Sequence, residues 1–186
     1  MKKIAVLCII LISLILTGCS YKGQNYIPNY NTINELKDKN LKQVDVIRMT
    51  SPEDKTISIS IGRGTNKMHS PYMGTFSKYL EIALEEELKQ ASIYNNKSNI
   101  KIKTKLLTNK IDTGISLATV DLSANFTILI DKEKVFTKIY EIHHEWESSF
   151  IGAIAIPRTF ENYPIAMQKL IDEFLLDDEV INIIKK

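Results

Sequence analysis

The run Thr119-Val120-Asp121-Leu122-Ser123-Ala124-Asn125-Phe126-Thr127-Ile128 is the most regular stretch of the chain, because polar and apolar side chains alternate throughout it. Side chains of a β-strand point to opposite faces in turn, so this period of two predicts a strand with one buried face. The alternation returns between Phe136 and Trp146, after a polar turn at 131–134. We therefore predict two long strands that pair antiparallel as a hairpin.

Shorter patterns upstream add strands and a helix. The segments Ile57–Ile61 and Ile100–Leu106 also alternate, and the second of them presents three lysines, which suit the edge of a sheet. Apolar residues between Phe76 and Ala91 recur at helical spacing, and Thr75 is placed to cap that helix. These patterns predict two strands and one long amphipathic helix.

The last third of the chain returns to helical spacing. Proline is tolerated in the first turn of a helix but not deeper, so the second main helix is predicted to begin close to Pro164. A final short helix is predicted from Asp177. This order of elements predicts an α+β fold: one antiparallel sheet of about four strands, with two main helices packed on one face as a two-layer sandwich.

The first residues indicate export. Lys2 and Lys3 precede Ile4–Leu16, a largely apolar run of 13 residues. This run is too short for the roughly 20 apolar residues that span a bilayer. It ends in Leu16-Thr17-Gly18-Cys19, which resembles the lipobox of bacterial lipoproteins. Residues 1–18 are therefore predicted to be a lipoprotein signal peptide.

The lipobox resemblance implies a covalent lipid anchor. It implies diacylglyceryl transfer to the Cys19 thiol, cleavage between Gly18 and Cys19, and acylation of the freed amine. Each buried methylene contributes about 0.8 kcal/mol, so three acyl chains form a permanent anchor. The lipoprotein resemblance also implies a sorting rule, in which Asp directly after the cysteine retains a protein in the inner membrane. Ser20 stands at that position, which favours the outer membrane, with the protein on its periplasmic face. No cofactor other than the lipid on Cys19 is expected.

The remaining chain is predicted to divide at residue 42. Residues 19–42, rich in Asn, Tyr and Lys, are predicted to be the lipidated cysteine and a flexible tether, and residues 43–186 a single α+β periplasmic domain. The full chain has 24 Lys and Arg against 22 Asp and Glu. Cleavage removes Lys2 and Lys3, which leaves 22 of each sign. No basic excess remains to bind a phosphate backbone, so nucleic acid is not an expected partner.

Motifs of catalysis and metal binding are not found in the sequence. On the predicted strand His143, Glu145 and Glu147 share one face, so at most two of these groups could hold an ion together. His144 points to the other face. The chain also lacks a G-x-S-x-G elbow and a phosphate-binding loop. We expect neither an enzyme nor a metal site.

The apolar segment Phe150–Pro157 stands out as a candidate binding surface. Its small residues Gly152, Ala153 and Ala155 permit close approach, either by another part of the same chain or by a partner segment. The candidate partner surface comprises Tyr72, Tyr79, Trp146, Phe150, Ile154 and Ile156.

The mature part resembles the YajG-like uncharacterised lipoproteins over about residues 56 to 186. The resemblance lies in the helix Phe76–Leu84, the hairpin from Val120 to Trp146, and the C-terminal Asp178-Glu179-Val180-Ile181. The layout also resembles other small envelope lipoproteins that assist larger machines, including accessory components of transporters and activators of peptidoglycan synthases. The resemblance implies a binding role and supplies no catalytic residues.

Three functions follow as hypotheses. The first is an outer-membrane-anchored periplasmic lipoprotein that acts as a non-catalytic binding or accessory module for an envelope protein complex. The alternatives are a carrier or chaperone of lipid or glycolipid, and a hydrolase of envelope polymers. A binding module should expose an apolar patch, a carrier should enclose an apolar cavity of several hundred Å³, and a hydrolase should have a polar cleft with perturbed titratable groups. The sequence identifies neither the partner nor the oligomeric state.

Overall fold

A computed structural model describes residues 20–50, 58–61, 66–72 and 74–185. The predicted leader, Gly18 and Cys19 lie outside the described residues. The described strands are β1 (Ser20–Lys22), β2 (Asp45–Arg48), β3 (Ser58–Ser60), β4 (Lys67–His69), β5 (Ile100–Asp112), β6 (Leu117–Ile130) and β7 (Glu133–Glu147). The described helices are α1 (Tyr30–Asp38), α2 (Phe76–Gln90), α3 (Gly152–Leu175) and α4 (Asp178–Ile184).

The strands form two mixed sheets. The larger sheet has the order β2-β5-β6-β7, with β2 parallel to β5 and the other pairs antiparallel. The smaller sheet has the order β1-β4-β3, with β1 parallel to β4. The α+β class and the β6–β7 hairpin are confirmed. The prediction of a single antiparallel sheet with two helices is wrong, because the short strands carry too little alternation to reveal that they pair in parallel.

Helices α2 and α3 cover one face of the larger sheet. On β6 the side chains of Val120, Ala124 and Phe126 point into this layer and are fully buried. Phe126 stacks on Phe174 of α3 with ring centroids 4.2 Å apart and planes 14° apart. The core therefore lies between the sheet and these helices, where the alternation of β6 predicted a buried face.

The opposite face of the larger sheet is lined mainly by polar side chains, and we name it the open face. It carries four lysines of β5 (Lys101, Lys103, Lys105 and Lys110), four residues of β6 (Asp121, Ser123, Asn125 and Thr127), and five residues of β7 (Thr137, Ile139, Glu141, His143 and Glu145). All five residues of β7 are exposed. Within the described part of the chain, helices α2 and α3 lie on the other side of the sheet.

Helix α3 begins twelve residues before the predicted start, since it includes both Pro157 and Pro164. Proline in a helix interior removes a backbone hydrogen bond, at a cost of about 3 kcal/mol. The buried stripe of α3 nevertheless continues across the prolines through Ala155, Thr159 and Tyr163. Packing of this stripe on the sheet offsets the lost backbone bonds, which is why the local proline rule placed the helix start wrongly.

The prediction of a flexible tether at 19–42 is wrong for residues 20–42. Helix α1 lies inside this segment, and Ile33 and Leu36 on it are 2% and 0% exposed. Asn29 caps the helix, because its side-chain oxygen accepts a hydrogen bond from the Asn31 N–H. The helix has nine residues, too few for its apolar period to stand out in a polar sequence. The N-terminal segment is therefore part of the folded core.

Candidate functional site

The structure separates the six residues of the predicted partner surface. Tyr79 and Trp146 are 0% and 8% exposed, so their assignment to a partner surface is wrong. Tyr79 faces the rings of Tyr72 and Tyr163 inside the protein. Tyr72 and Ile156 are half-buried, whereas Phe150 and Ile154 are 73% and 41% exposed. The helical and strand periods placed Tyr79 and Trp146 on buried faces, where a partner cannot reach them.

Five of the eleven exposed large apolar residues in the described part of the chain lie at one end of the larger sheet. Ser148 donates hydrogen bonds from its backbone N–H to the Ser116 carbonyl and from its hydroxyl to the Thr113 carbonyl, so the β5–β6 turn lies against the β7–α3 junction. This contact brings together five exposed side chains, which we name the apolar tip: Ile115, Leu117, Phe150, Ile151 and Ile154. A cavity of about 190 Å³ beside the tip is lined by Asn66, Thr113, Gly114, Ser149, Phe150, Gly152, Ala155 and Ile156.

Three residues of the apolar tip were not among the residues predicted from the sequence. Ile115, Ile151 and Leu117 are 63%, 56% and 49% exposed. For Ile115 and Leu117, the signal in the sequence was that large apolar side chains follow Gly114, in the turn between two predicted strands. Loops lie on protein surfaces, so an apolar side chain in a turn is a candidate for exposure.

The open face separates charge by strand. Lysines occupy β5 positions 103, 105 and 110, whereas β7 has glutamates at positions 141 and 145. Strand β6 lies between them, and neighbouring strands are about 4.8 Å apart, so the two rows run about 10 Å apart. At one border of the face Lys101 Nζ lies 2.7 Å from the Asp45 carboxylate of β2. The face thus presents a basic row beside an acidic row on a rigid support.

His143 is held between two carboxylates on the open face. Its Nδ1 lies 2.5 Å from Asp121 and its Nε2 lies 3.0 Å from Glu145. Hydrogen bonding to these two carboxylates, Asp121 first, raises the pKa of His143. Ser123 lies on the same face, but both ring nitrogens of His143 are already bonded, so neither accepts the proton of the Ser123 hydroxyl. The arrangement is an ion-pair network and lacks the serine–histidine bond of a hydrolase.

His144 is a neutral histidine at the margin of the core. Lys169 Nζ is a donor 2.9 Å from Nδ1, and the Asn162 side-chain oxygen is an acceptor 3.0 Å from Nε2. These partners require the tautomer that carries its proton on Nε2. Burial lowers the pKa of His144, and the nearby Lys169 charge adds to this effect. Among the described residues no three His, Cys, Asp or Glu side chains are placed to hold a metal ion together.

A buried acidic cluster attaches the N-terminal segment to the helices. Glu87 of α2 is fully buried, and its Oε1 accepts hydrogen bonds from the Tyr26 hydroxyl at 2.5 Å and the Asn29 N–H at 2.6 Å. Asp172 of α3 accepts bonds from the Asn29 side chain and the Thr32 hydroxyl. Burial raises the pKa of Glu87 to about 6 and also raises the pKa of Asp172.

Replacing Glu87 with glutamine is expected to make stability less sensitive to pH. A carboxyl group whose pKa is raised on folding stabilises the fold at low pH and loses that contribution as pH rises through its folded value. The rise from 4.5 to about 6 corresponds to about 2 kcal/mol. We expect the free energy of unfolding of the native protein to fall by nearly this amount between about pH 4 and about pH 7 through Glu87 alone.

Urea denaturation at both pH values measures this effect. The difference between the native protein and Glu87→Gln isolates the Glu87 contribution, because all other titrating groups are shared. Glu86→Gln is the matched control, since Glu86 lies on the same helix but pairs with Lys89 at the surface. An identical pH dependence in the native protein and Glu87→Gln would contradict the prediction.

Comparison with known proteins supports the fold. No protein family and no curated protein sequence matches the chain. The structure is similar to that of a Xanthomonas campestris protein of the family DUF330, with a TM-score of 0.58 and 16% sequence identity over 85% of this chain and 95% of that one. The chain therefore has the α+β fold of that protein.

Two named lipoproteins resemble the structure more distantly. The minor lipoprotein of Acinetobacter baumannii has a TM-score of 0.45 and 11% identity over 78% of this chain and 98% of that one. Rare lipoprotein B of Shewanella oneidensis has a TM-score of 0.45 and 12% identity over 76% and 96%. The finer resemblance to YajG-like lipoproteins stays a prediction.

Proposed function

We propose that the protein is a lipid-anchored, non-catalytic accessory module of the bacterial cell envelope. In this proposal acylated Cys19 holds it in the outer membrane, and the folded part faces the periplasm and binds an envelope protein complex. The anchor is supported by Lys2 and Lys3, the apolar run and the Leu16–Cys19 lipobox, and Ser20 supports the outer membrane. No described helix has the length and hydrophobicity needed to cross a bilayer.

The observation that carries the binding role is the pair of charged rows on the open face. Lys103 and Lys105 on β5 run parallel to Glu141 and Glu145 on β7, on a sheet whose hydrogen-bonded ladder keeps the rows in place. A protein that carries acidic groups opposite β5 and basic groups opposite β7 is attracted and oriented by this pattern. We therefore assign the open face to an envelope protein with that complementary arrangement.

The described geometry favours this role over the two alternatives. The cavity beside the apolar tip holds about 190 Å³, less than the roughly 300 Å³ at which ligand pockets begin. It is therefore too small to enclose the acyl chains that a lipid carrier transports. Larger depressions of the described surface, of about 560, 490 and 420 Å³, are open to solvent and bordered by charged or polar side chains, so they do not enclose an acyl chain either. A hydrolase needs a base that can reach a nucleophile, whereas both ring nitrogens of His143 are hydrogen-bonded to Asp121 and Glu145.

Site-specific photocrosslinking in living cells tests the proposal. A photoreactive amino acid at Lys105 or Thr137 is expected to capture one envelope protein, identified by mass spectrometry. The same amino acid at Lys37, exposed on α1, should not capture it. The double variant Lys103→Glu with Lys105→Glu should reduce capture from Thr137 at least tenfold, because like charges then face each other.

The matched control makes the same charge change elsewhere. Lys37→Glu with Lys39→Glu inverts an exposed lysine of α1 and the partly exposed lysine that follows the helix, and should leave capture from Thr137 unchanged. The binding role through the open face fails if Lys105 and Thr137 capture only solvent or bulk lipid. It also fails if both double variants reduce capture equally.

A further inference from the structure

The described chain begins beside the apolar tip. Ser20, the first described residue, pairs with Lys67 in the β1–β4 ladder. Asn66, next to Lys67, lines the same cavity as Phe150. The Tyr21 ring lies 5.8 Å from the ring of Phe160, on the N-terminal half of α3. Cys19 precedes Ser20 in the chain, so Ser20 is the described residue through which a lipid anchor on Cys19 is attached to the folded part.

The segment that follows Ser20 is fixed to the core within a few residues of the anchor. Gly23 donates its N–H to the His69 carbonyl, which continues the β1–β4 contact. Tyr26 and Asn29 are then bonded to Glu87, and α1 follows directly. A tether that started at Cys19 would let the domain turn freely, but this attachment does not. Lipid on Cys19 therefore brings the apolar tip to the membrane surface.

We propose that the apolar tip docks on the lipid surface of the bilayer that holds Cys19, with Phe150, Ile151 and Ile154 entering the boundary between headgroups and acyl chains. The inference rests on the lipidation of Cys19 in the proposed function and adds the orientation of the domain. Apolar side chains that stand out into solvent at an anchored end are stabilised by this boundary. Tyr21, half-buried beside Phe160, has the amphipathic ring that is enriched at such interfaces.

The contact is apolar rather than electrostatic. The charged residues around the tip are of both signs: Asp112 and Glu147 are acidic, and Lys67, Lys110 and Arg158 are basic, with Arg158 paired to Glu147. The excess is a single positive charge, and one basic residue near the surface contributes only about 1 kcal/mol of attraction to anionic lipid. Docking of the tip should therefore persist at high salt. In this orientation β7 rises from the membrane, which leaves the open face accessible to a protein from the side.

Fluorescence in vesicles tests the orientation. Full-length protein is isolated from its native membranes and reconstituted into vesicles of phosphatidylethanolamine and phosphatidylglycerol. An environment-sensitive dye is attached to Ile151→Cys or Ile154→Cys, and in a matched control to Glu133→Cys at the opposite end of β7. A quencher carried on the lipid acyl chains is expected to reduce emission at positions 151 and 154 several-fold, with little effect at 133. Added salt should not change this difference.

Each other outcome overturns a defined part of the argument. Protein that fails to float with the vesicles has no lipid anchor, which overturns the proposed function and this inference together. Protein that floats but shows equal, weak quenching at positions 133, 151 and 154 is anchored with its tip in water, which overturns this inference alone. Dyes at 151 and 154 that are shielded from water but not quenched by lipid indicate contact with another copy of the chain, which also overturns it.

Discussion

Replacing Cys19 with serine is expected to remove the protein from the outer membrane completely. The serine hydroxyl does not accept the diacylglyceryl group in place of the thiol, and the lipobox resemblance makes lipid transfer the step before cleavage. The variant therefore lacks all three acyl chains, each of which contributes about 0.8 kcal/mol for every buried methylene. Because lipid transfer precedes cleavage, the variant also keeps residues 1–18. Separation of the outer membrane from the inner membrane and from soluble protein, followed by mass spectrometry of residue 19, measures the loss.

Cys8→Ser is the matched control, because Cys8 is the second cysteine of the chain and lies in the segment that cleavage removes. It should leave both the membrane fraction and the mass of the mature protein unchanged. Recovery of Cys19→Ser in the outer membrane at the level of the native protein would refute lipid anchoring at this residue. An unmodified Cys19 in native protein would refute it as well.

Replacing Phe174 with alanine is expected to remove about 3–5 kcal/mol of stability. The Phe174 ring is fully buried, stacks on Phe126 with centroids 4.2 Å apart, and meets the edge of Tyr140 at 5.8 Å. It joins α3 to both strands of the hairpin, so the neighbours are held by the sheet and cannot collapse into the space left behind. The total free energy of unfolding of a domain of this kind is about 5–15 kcal/mol, so the variant loses a large share of its stability.

Chemical denaturation followed by circular dichroism measures the change. Ile165→Ala, on the same helix but 40% exposed, is the control and should lower the free energy of unfolding by well under half as much. Equal destabilisation by the two variants would contradict the prediction, because the buried Phe126–Phe174 stack would then contribute no more to stability than the partly exposed Ile165.

The hairpin and α2 could be predicted from the sequence because their signals are local. Strict alternation in β6 specifies which side chains are buried, and the observed register pairs Val120 with His144 and Ala124 with Tyr140. Thr75 caps α2 as predicted, since its hydroxyl oxygen accepts a hydrogen bond from the Lys78 N–H. Each of these features depends on residues close together in the chain.

The candidate site was predicted only in part. Phe150 and Ile154 are exposed at the apolar tip, but Tyr79 and Trp146 are in the core. An aromatic residue has the same local pattern on a buried face and on a binding surface. The difference depends on whether another element covers it, and for Tyr79 those elements include α3, which lies far along the chain.

Local periodicity and composition are sufficient to establish the α+β class and the long hairpin, because each of these depends on the pattern of neighbouring residues. The parallel pairing of β2 with β5, the docking of α1 and the position of Ser20 beside the apolar tip arise only when the chain is folded. Each brings together residues that are far apart in sequence. Their stability comes from burial against distant partners, and no local pattern records which distant surfaces meet.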